Sequence, residues 1–378
     1  MRPAPPLSRR RALQAAAGLG VGLGVGVGVG LNGELARATP APRLQFPRDF
    51  GAHPDFQTEW WYLTGFADVG KEAAALGFQI TFFRSKVVST QGLDAALAAK
   101  HLLFAHAALS DVTAQSHLSD QRIARWSGRA PGSNSADLAW ARPDDTGVLL
   151  RDWSLQRQPD GRLRALVQSE GFALDLVFDA TQPVLLQGRG GISAKGPSAA
   201  QFSYYYSLPQ LQVQGSIRAR GQRLALAAGS RAWLDHEWSD ALLAPGAVGW
   251  DWIGINMRDG GALTAFQVRD GQGRALWDGG SYRAGSTLYT FARGEVVFEA
   301  QQFWRSPRSQ ARYPVQWLVR TPADFYTVKA VFSAQELDSR ASTGALYWEG
   351  LCEVFDSQGR LAGRGYLEMT GYAAPLQL

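Results

Sequence analysis

The sequence predicts an all-β protein, a sandwich or barrel in two successive β-domains that meet near Asp235-His236-Glu237-Trp238. Three observations predict it. Short stretches rich in aromatic and β-branched residues recur along the chain. Turn-forming clusters separate them. The helical crossovers that a parallel sheet needs do not appear between them.

The first 38 residues have the layout of an export leader. Arg9, Arg10 and Arg11 in "SRRRALQ" precede an uncharged run from Ala15 to Leu31, and "ARA" at Ala36–Ala38 places small residues at the cleavage positions. Paired arginines predict the twin-arginine route to the periplasm. The run alternates Val and Gly and is too Gly-rich for a good membrane helix, and no later stretch is long and apolar enough to span a bilayer. The whole chain has 38 Lys+Arg and 33 Asp+Glu; without the leader's five arginines and one acid these become 33 and 32. The basic character therefore belongs to the leader, and nucleic-acid binding has no support. The single Cys352 excludes an intramolecular disulfide.

The expected division is a leader over 1–38, a first domain over 39–235 and a second over 236–378. Strands are expected at "EWWYLTGFADV", "ALGFQITFFR" and "FALDLVFDA" in the first domain. In the second they are expected at "WIGINM", "ALTAFQVRD", "YTVKAVFS" and "GYLEMTGY". Turns are expected at "PDG" (159–161), "RDGG" (258–261), "DGQG" (270–273) and "DSQG" (356–359). "GLDAALAAKHLLFAHAAL" (92–109) has helical composition in its first half, while its second half suits a strand equally. The loop-like segments 128–138 and 188–201 border a site in this reading.

Chemistry concentrates in aromatic-acidic boxes. Strand alternation in "AWLDHEWS" puts Trp233, Asp235 and Glu237 on one face and Leu234, His236 and Trp238 on the other. Two acids on one buried face would have their pKa values driven apart, giving an acid and a base. Alternatively they cap turns or pair with arginines. In "TEWWYLTG", Glu59 and Trp61 point one way, Trp60 and Tyr62 the other. In "VGWDWIG", Trp250 and Trp252 oppose Asp251, and Tyr204, Tyr205 and Tyr206 form a further aromatic run. Such runs fill cores as well as pockets. The catalytic candidates are Asp235, His236, Glu237 and Glu59. The substrate-binding candidates are Trp60, Trp61, Tyr62, His106, Tyr204, Tyr205, Trp233, Trp238, Trp250, Asp251 and Trp252. The histidines (His53, His101, His106, His117, His236) form no HxH or HExxH spacing, so no metal and no cofactor is expected; His53 and His117 are expected to be structural. A GxSxG elbow is absent, as are a Walker loop and a strand-linked GxGxxG.

These boxes resemble the AttH/CrtC lipocalin-like family. The resemblance rests on "HPDFQTEWWYLTG" (53–65), "LGFQITFFR" (76–84), "FAHAALSDV" (104–112), "FSYYYSLPQLQVQG" (202–215), "AWLDHEWS" (232–239), "GWDWIGINMRDG" (249–260) and "YWEGLCEV…GRGYLEMTGY" (347–372), in family order. It implies two consecutive lipocalin-like barrels with few helices. The branch of carotenoid 1,2-hydratases protonates an alkene from a neutral carboxylic acid and adds water to the resulting cation. For this chain that implies Asp235 as acid among Trp233, Trp238, Trp61 and Trp252, with His236 and Glu237 orienting water or relaying the proton. The export leader departs from that branch and fits the secreted-hydrolase branch, which implies an ABC-type transporter permease as partner. Two functions stand side by side: a cofactor-independent hydro-lyase or hydrolase acting on an apolar isoprenoid or lipid-like ligand, and a non-catalytic periplasmic lipid carrier or transporter accessory. The fold alone does not choose between them.

Overall fold

The computed structural model describes residues 43–93, 98–129, 138–241 and 243–376. The expected leader lies outside them, as do residues 94–97 of the helix-like segment. The described part of that segment is a strand, His101–Asp111. Among the described residues there is no α-helix, only the 3₁₀ turns Arg48–Phe50 and Val88–Thr90.

Two antiparallel sheets make the fold. The first runs in the order Ser116–Trp126, His101–Asp111, Glu72–Lys86, Thr58–Val69, Arg231–Ser239, Phe202–Ala219, Ala173–Asp179, Leu163–Gln168, Trp153–Arg157, Gly147–Leu150 and Ala139–Ala141. Its end strands Ser116–Trp126 and Ala139–Ala141 come back against each other, so this sheet is a nearly closed barrel. The second runs Thr287–Phe291, Ala275–Ala284, Ala262–Asp270, Ala247–Met257, Leu361–Met369, Ala345–Phe355, Phe325–Ala330, Arg312–Arg320 and Val297–Arg305. The all-β, lipocalin-like reading holds. The chain changes sheet between Ser239 and Ala247, so residues 236–239 complete a strand of the first sheet rather than opening the second.

The turns follow the chemistry expected of them. "DGQGR" and "DSQGR" fold alike. Asp270 Oδ1 accepts from the amides of Gln272 and Arg274, both at 2.9 Å, and Asp356 Oδ1 accepts from those of Gln358 and Arg360, both at 2.9 Å. Gly273 and Gly359 take φ of 78° and 75°, where a Cβ would be strained.

Each sheet encloses its own apolar core, and a third cluster joins them. Tyr62, Phe66 and Trp233 from the first sheet pack there with Trp252, Phe266, Leu351 and Tyr366 from the second. Strands at this junction are covered on both faces. Arg231–Ser239 is buried at every residue after Arg231, so its polar alternate positions had to find hydrogen-bond partners inside the protein. A bulge in the Phe202–Ala219 strand fixes the two sheets together. Gln210 takes φ 56°; its amide donates to Asn256 Oδ1 at 2.7 Å and its Nε2 to the carbonyls of Met257 and Gly261 at 2.8 and 2.7 Å.

Candidate active site between the two sheets

Register builds the site. Thr58–Val69 pairs with Arg231–Ser239 so that Tyr62 lies opposite Asp235, Trp61 opposite His236 and Trp60 opposite Glu237. On the other side of the same strand, Ser207 lies opposite Asp235 and Tyr205 opposite Glu237. One face of these strands looks into the first barrel and the other towards the second sheet. Between the sheets lies a cavity of about 280 Å³, lined by Trp60, Tyr62, Asp235, Glu237, Trp250, Trp252 and Phe266 among others.

The inward face holds a different group of expected residues. Trp61, Tyr204 and Trp238 belong to the first core. His236 is fully buried there, stacked on Trp61 at 4.7 Å, and is not among the cavity walls. Glu59 touches the cavity, but its oxygens are taken. They accept from the His53 amide at 2.9 Å, His53 Nδ1 at 2.8 Å, Arg84 Nε at 2.8 Å and His236 Nε2 at 2.9 Å. Burial opposes its charge, yet the bonds from His236 and His53 and the Arg84 cation hold its pKa well below the usual carboxylate range. Burial pushes His236 down to about 4, so its ring is neutral. The ligand atoms of His53, Glu59 and His236 lie within 4.8 Å of one another, close enough for one cation. The Arg84 guanidinium already supplies positive charge to that carboxylate, so the group is a closed ion-pair cluster. His53 is the structural residue expected of it; it also stacks on Trp238 at 3.6 Å. Asp251 likewise faces away from the cavity. It accepts from Gln267 Nε2, Arg269 Nε and the Tyr372 hydroxyl at 2.8, 3.0 and 2.9 Å.

Asp235 has another environment. Oδ1 accepts from Trp233 Nε1 at 2.6 Å and from Ser207 Oγ at 2.5 Å, and Oδ2 accepts from the Tyr205 hydroxyl at 2.6 Å. Each donor is neutral, and among the described residues no Lys or Arg pairs with it. Three of roughly four lone-pair positions are filled, which leaves one on Oδ2 for a proton. Burial pushes its pKa up to about 7, against the pull of the three hydrogen bonds and with added repulsion from Glu237. Glu237 is compensated: Lys195 Nζ lies 2.8 Å from Oε1 and the Ser203 hydroxyl donates to the same oxygen. Lys195 also lies over the Phe266 ring at 4.3 Å.

His106 reaches the cavity from the next-but-one strand. Its Nδ1 is 2.9 Å from the Tyr347 hydroxyl and its Nε2 2.9 Å from Ser342 Oγ; burial pushes it down to about 3. His117 is bonded to Ser110 Oγ at 2.9 Å, outside the cavity lining.

The cavity also has walls that the sequence reading passed over: Lys195, Tyr347, Glu349 and Glu368. Glu349 carried a signal. "YWEG" is one more aromatic-acidic box, with Tyr347 and Glu349 two apart on one strand face. Lys195 carried none of its own, although the 188–201 segment that holds it was expected to border a site.

The AttH-like family profile matches residues 37–372. The chain belongs to the AttH-like family. An AttH-type protein of Nitrosomonas europaea has 43% identity and a TM-score of 0.79 over 89% of this chain and 100% of its own. Kievitone hydratase of Nectria haematococca shares the fold at 14% identity, with a TM-score of 0.64 over 88% of this chain and 94% of its own. A kievitone hydratase of Fusarium solani subsp. phaseoli is 30% identical over 130 residues, 33% of this chain and 35% of that relative. The match thus spans about a third of the Fusarium protein. This AttH-like chain resembles hydratases in fold and, over that third, in sequence.

Proposed function

We propose that this AttH-like protein is a periplasmic, cofactor-independent hydratase that adds water to an alkene of a neutral, apolar ligand held between the two sheets. The observation that carries the reading is Asp235: a buried carboxyl on the wall of an aromatic cavity, held by three neutral donors and, among the described residues, no cation. A carboxyl in that setting keeps a proton close to neutral pH and has one oxygen position from which to give it. Protonation of an alkene leaves a carbocation, and the faces of Trp60, Trp250 and Trp252 suit that developing charge. Asp235, Glu237, Glu349 and Glu368 line this space, and its two cationic wall residues, Lys195 and Arg84, are already paired with Glu237 and Glu59, so the described lining offers no free cation to an anionic ligand. The likeness to hydratases supports the reaction type, and Arg9, Arg10 and "ARA" support export.

The test is mass spectrometry of apolar molecules that co-purify with the periplasmic protein, followed by incubation in heavy-oxygen water. Gain of one labelled water by the recovered molecule supports hydration; recovery unchanged refutes it. A second reading is favoured by the closure of Glu59 and Glu237 by cationic partners. In it the cavity only carries a lipid-like ligand, for instance to an ABC-type permease.

A further inference from the structure

On the second-sheet wall of the cavity, Ala345–Phe355 and Leu361–Met369 pair so that Glu349 stands directly opposite Glu368. Like charges at a cross-strand position repel. Glu349 is 1% exposed; the Tyr62 and Tyr347 hydroxyls lie near enough to stabilise its ionised form, yet among the described residues neither carboxyl oxygen has a partner at full hydrogen-bond geometry. The Tyr62 hydroxyl, on a residue 5% exposed on the facing first-sheet wall, lies towards Glu349 and likewise has no partner at full hydrogen-bond geometry among the described residues. Both residues line the cavity. Buried polar groups left open in this way call for a small polar partner inside the cavity, and water is the smallest that both donates and accepts.

The pair cannot carry two full charges at neutral pH. Burial, and then the charge of Glu368, raise Glu349 well above the carboxylate range, against the pull of the Tyr62 and Tyr347 hydroxyls. Burial also brings Glu368 up to about 7, against the pull of the Trp250 side chain and with Asp235, Glu237 and Asp251 adding repulsion. One proton shared between two opposed carboxyls leaves one of them able to accept another.

We propose that the Glu349–Glu368 pair holds the attacking water and takes its proton. The assignment rests on the hydration reading above. Asp235 gives its proton to one alkene carbon, where a C–H bond forms as the π bond breaks. The water oxygen's lone pair forms the C–O bond to the cationic carbon. The water's O–H bond breaks, and its proton goes to the open carboxylate of the pair. The net change is one alkene and one water to one alcohol, with one proton moved from Asp235 to the pair. That proton has a way out: the Tyr347 hydroxyl interacts with Glu349 and is bonded to His106 Nδ1, and His106 Nε2 to the hydroxyl of the half-buried Ser342. Proton return to Asp235 then completes the cycle.

Infrared spectroscopy of the intact protein reads the shared proton without any ligand. At pH 7 the wild type should show a protonated-carboxyl band that Glu349→Gln weakens, with the melting curve retained. Glu368→Gln should keep the band and move its titration to lower pH, because the opposing charge is gone. A band unaltered in Glu349→Gln, or a titration unmoved in Glu368→Gln, overturns the pair. Farnesol, a neutral isoprenoid alkene, in heavy-oxygen water then reads the chemistry: Glu368→Gln should cut oxygen incorporation by about 10²–10⁴. Undiminished incorporation in Glu368→Gln overturns the base assignment. A wild type inert to farnesol with the infrared result intact overturns the hydration reading and leaves the proton-sharing pair standing.

Discussion

The Tyr205 hydroxyl donates to Asp235 Oδ2 at 2.6 Å and accepts from Trp252 Nε1 at 3.2 Å, so one hydroxyl couples an acid of the first sheet to an indole of the second. Tyr205→Phe removes a bond that stabilises the ionised form of Asp235, so the Asp235 pKa should rise. It also leaves the buried Trp252 N–H unpaired, at a cost of about 1–3 kcal/mol. A melt and a pH–rate profile displaced to higher pH would verify both effects; an unmoved profile would not fit.

Glu59→Gln tests the inward cluster. Arg84 is 1% exposed and its Nε donates to Glu59 Oε2 at 2.8 Å. Removing the carboxylate charge leaves a buried guanidinium uncompensated and should cost about 3–5 kcal/mol in denaturant unfolding. Glu59 then acts on activity through folding and not through a proton. A variant that stays stable while losing turnover would restore Glu59 to the catalytic group.

Gln210→Gly should loosen the two sheets while suiting the positive φ at that position. Its side chain makes two hydrogen bonds to carbonyls of the opposing turn, at Met257 and Gly261. Their loss should cost about 1–3 kcal/mol. Hydrogen exchange should speed up at residues 257–261 before it does in the core of either sheet.

His106 sets part of the acid limit. Its folded pKa is about 3, against an ordinary value of 6.5, because burial disfavours the charged ring. Between those values the unfolded chain takes up a proton that the folded chain refuses, so stability falls as pH drops from about 6.5 towards 3. His106→Gln should flatten that limb by up to one proton in urea-unfolding experiments run across the range. An unchanged slope would count against a buried neutral His106.

The sequence made some of this legible and hid the rest for physical reasons. Strand alternation correctly separated Asp235 and Glu237 from His236, and Trp60 and Tyr62 from Trp61, because side-chain direction is a local property. It could not say which face meets the second sheet, since both faces of Arg231–Ser239 are buried. Glu59 looked like a candidate acid because its partner Arg84 is remote in sequence and meets it only through strand pairing. The Glu349–Glu368 pair depends on register between two strands, which composition does not encode. Asp251 shares its strand with Trp250 and Trp252, yet alternation turns it into the second core.

The central claim is that Asp235 is a buried, uncompensated acid, and the stability of Asp235→Asn relative to wild type, measured from pH 4 to pH 8, tests it most directly. The folded pKa of about 7 exceeds the ordinary 3.8, so the folded state holds a proton that the unfolded state has lost. That term lowers wild-type stability as pH rises from about 4 to 7, by roughly 4 kcal/mol in total, and the asparagine variant lacks it. The difference should therefore move in favour of Asp235→Asn across that window and level off above it. A variant that is less stable by a constant amount at every pH would show Asp235 to be an ordinary structural carboxylate.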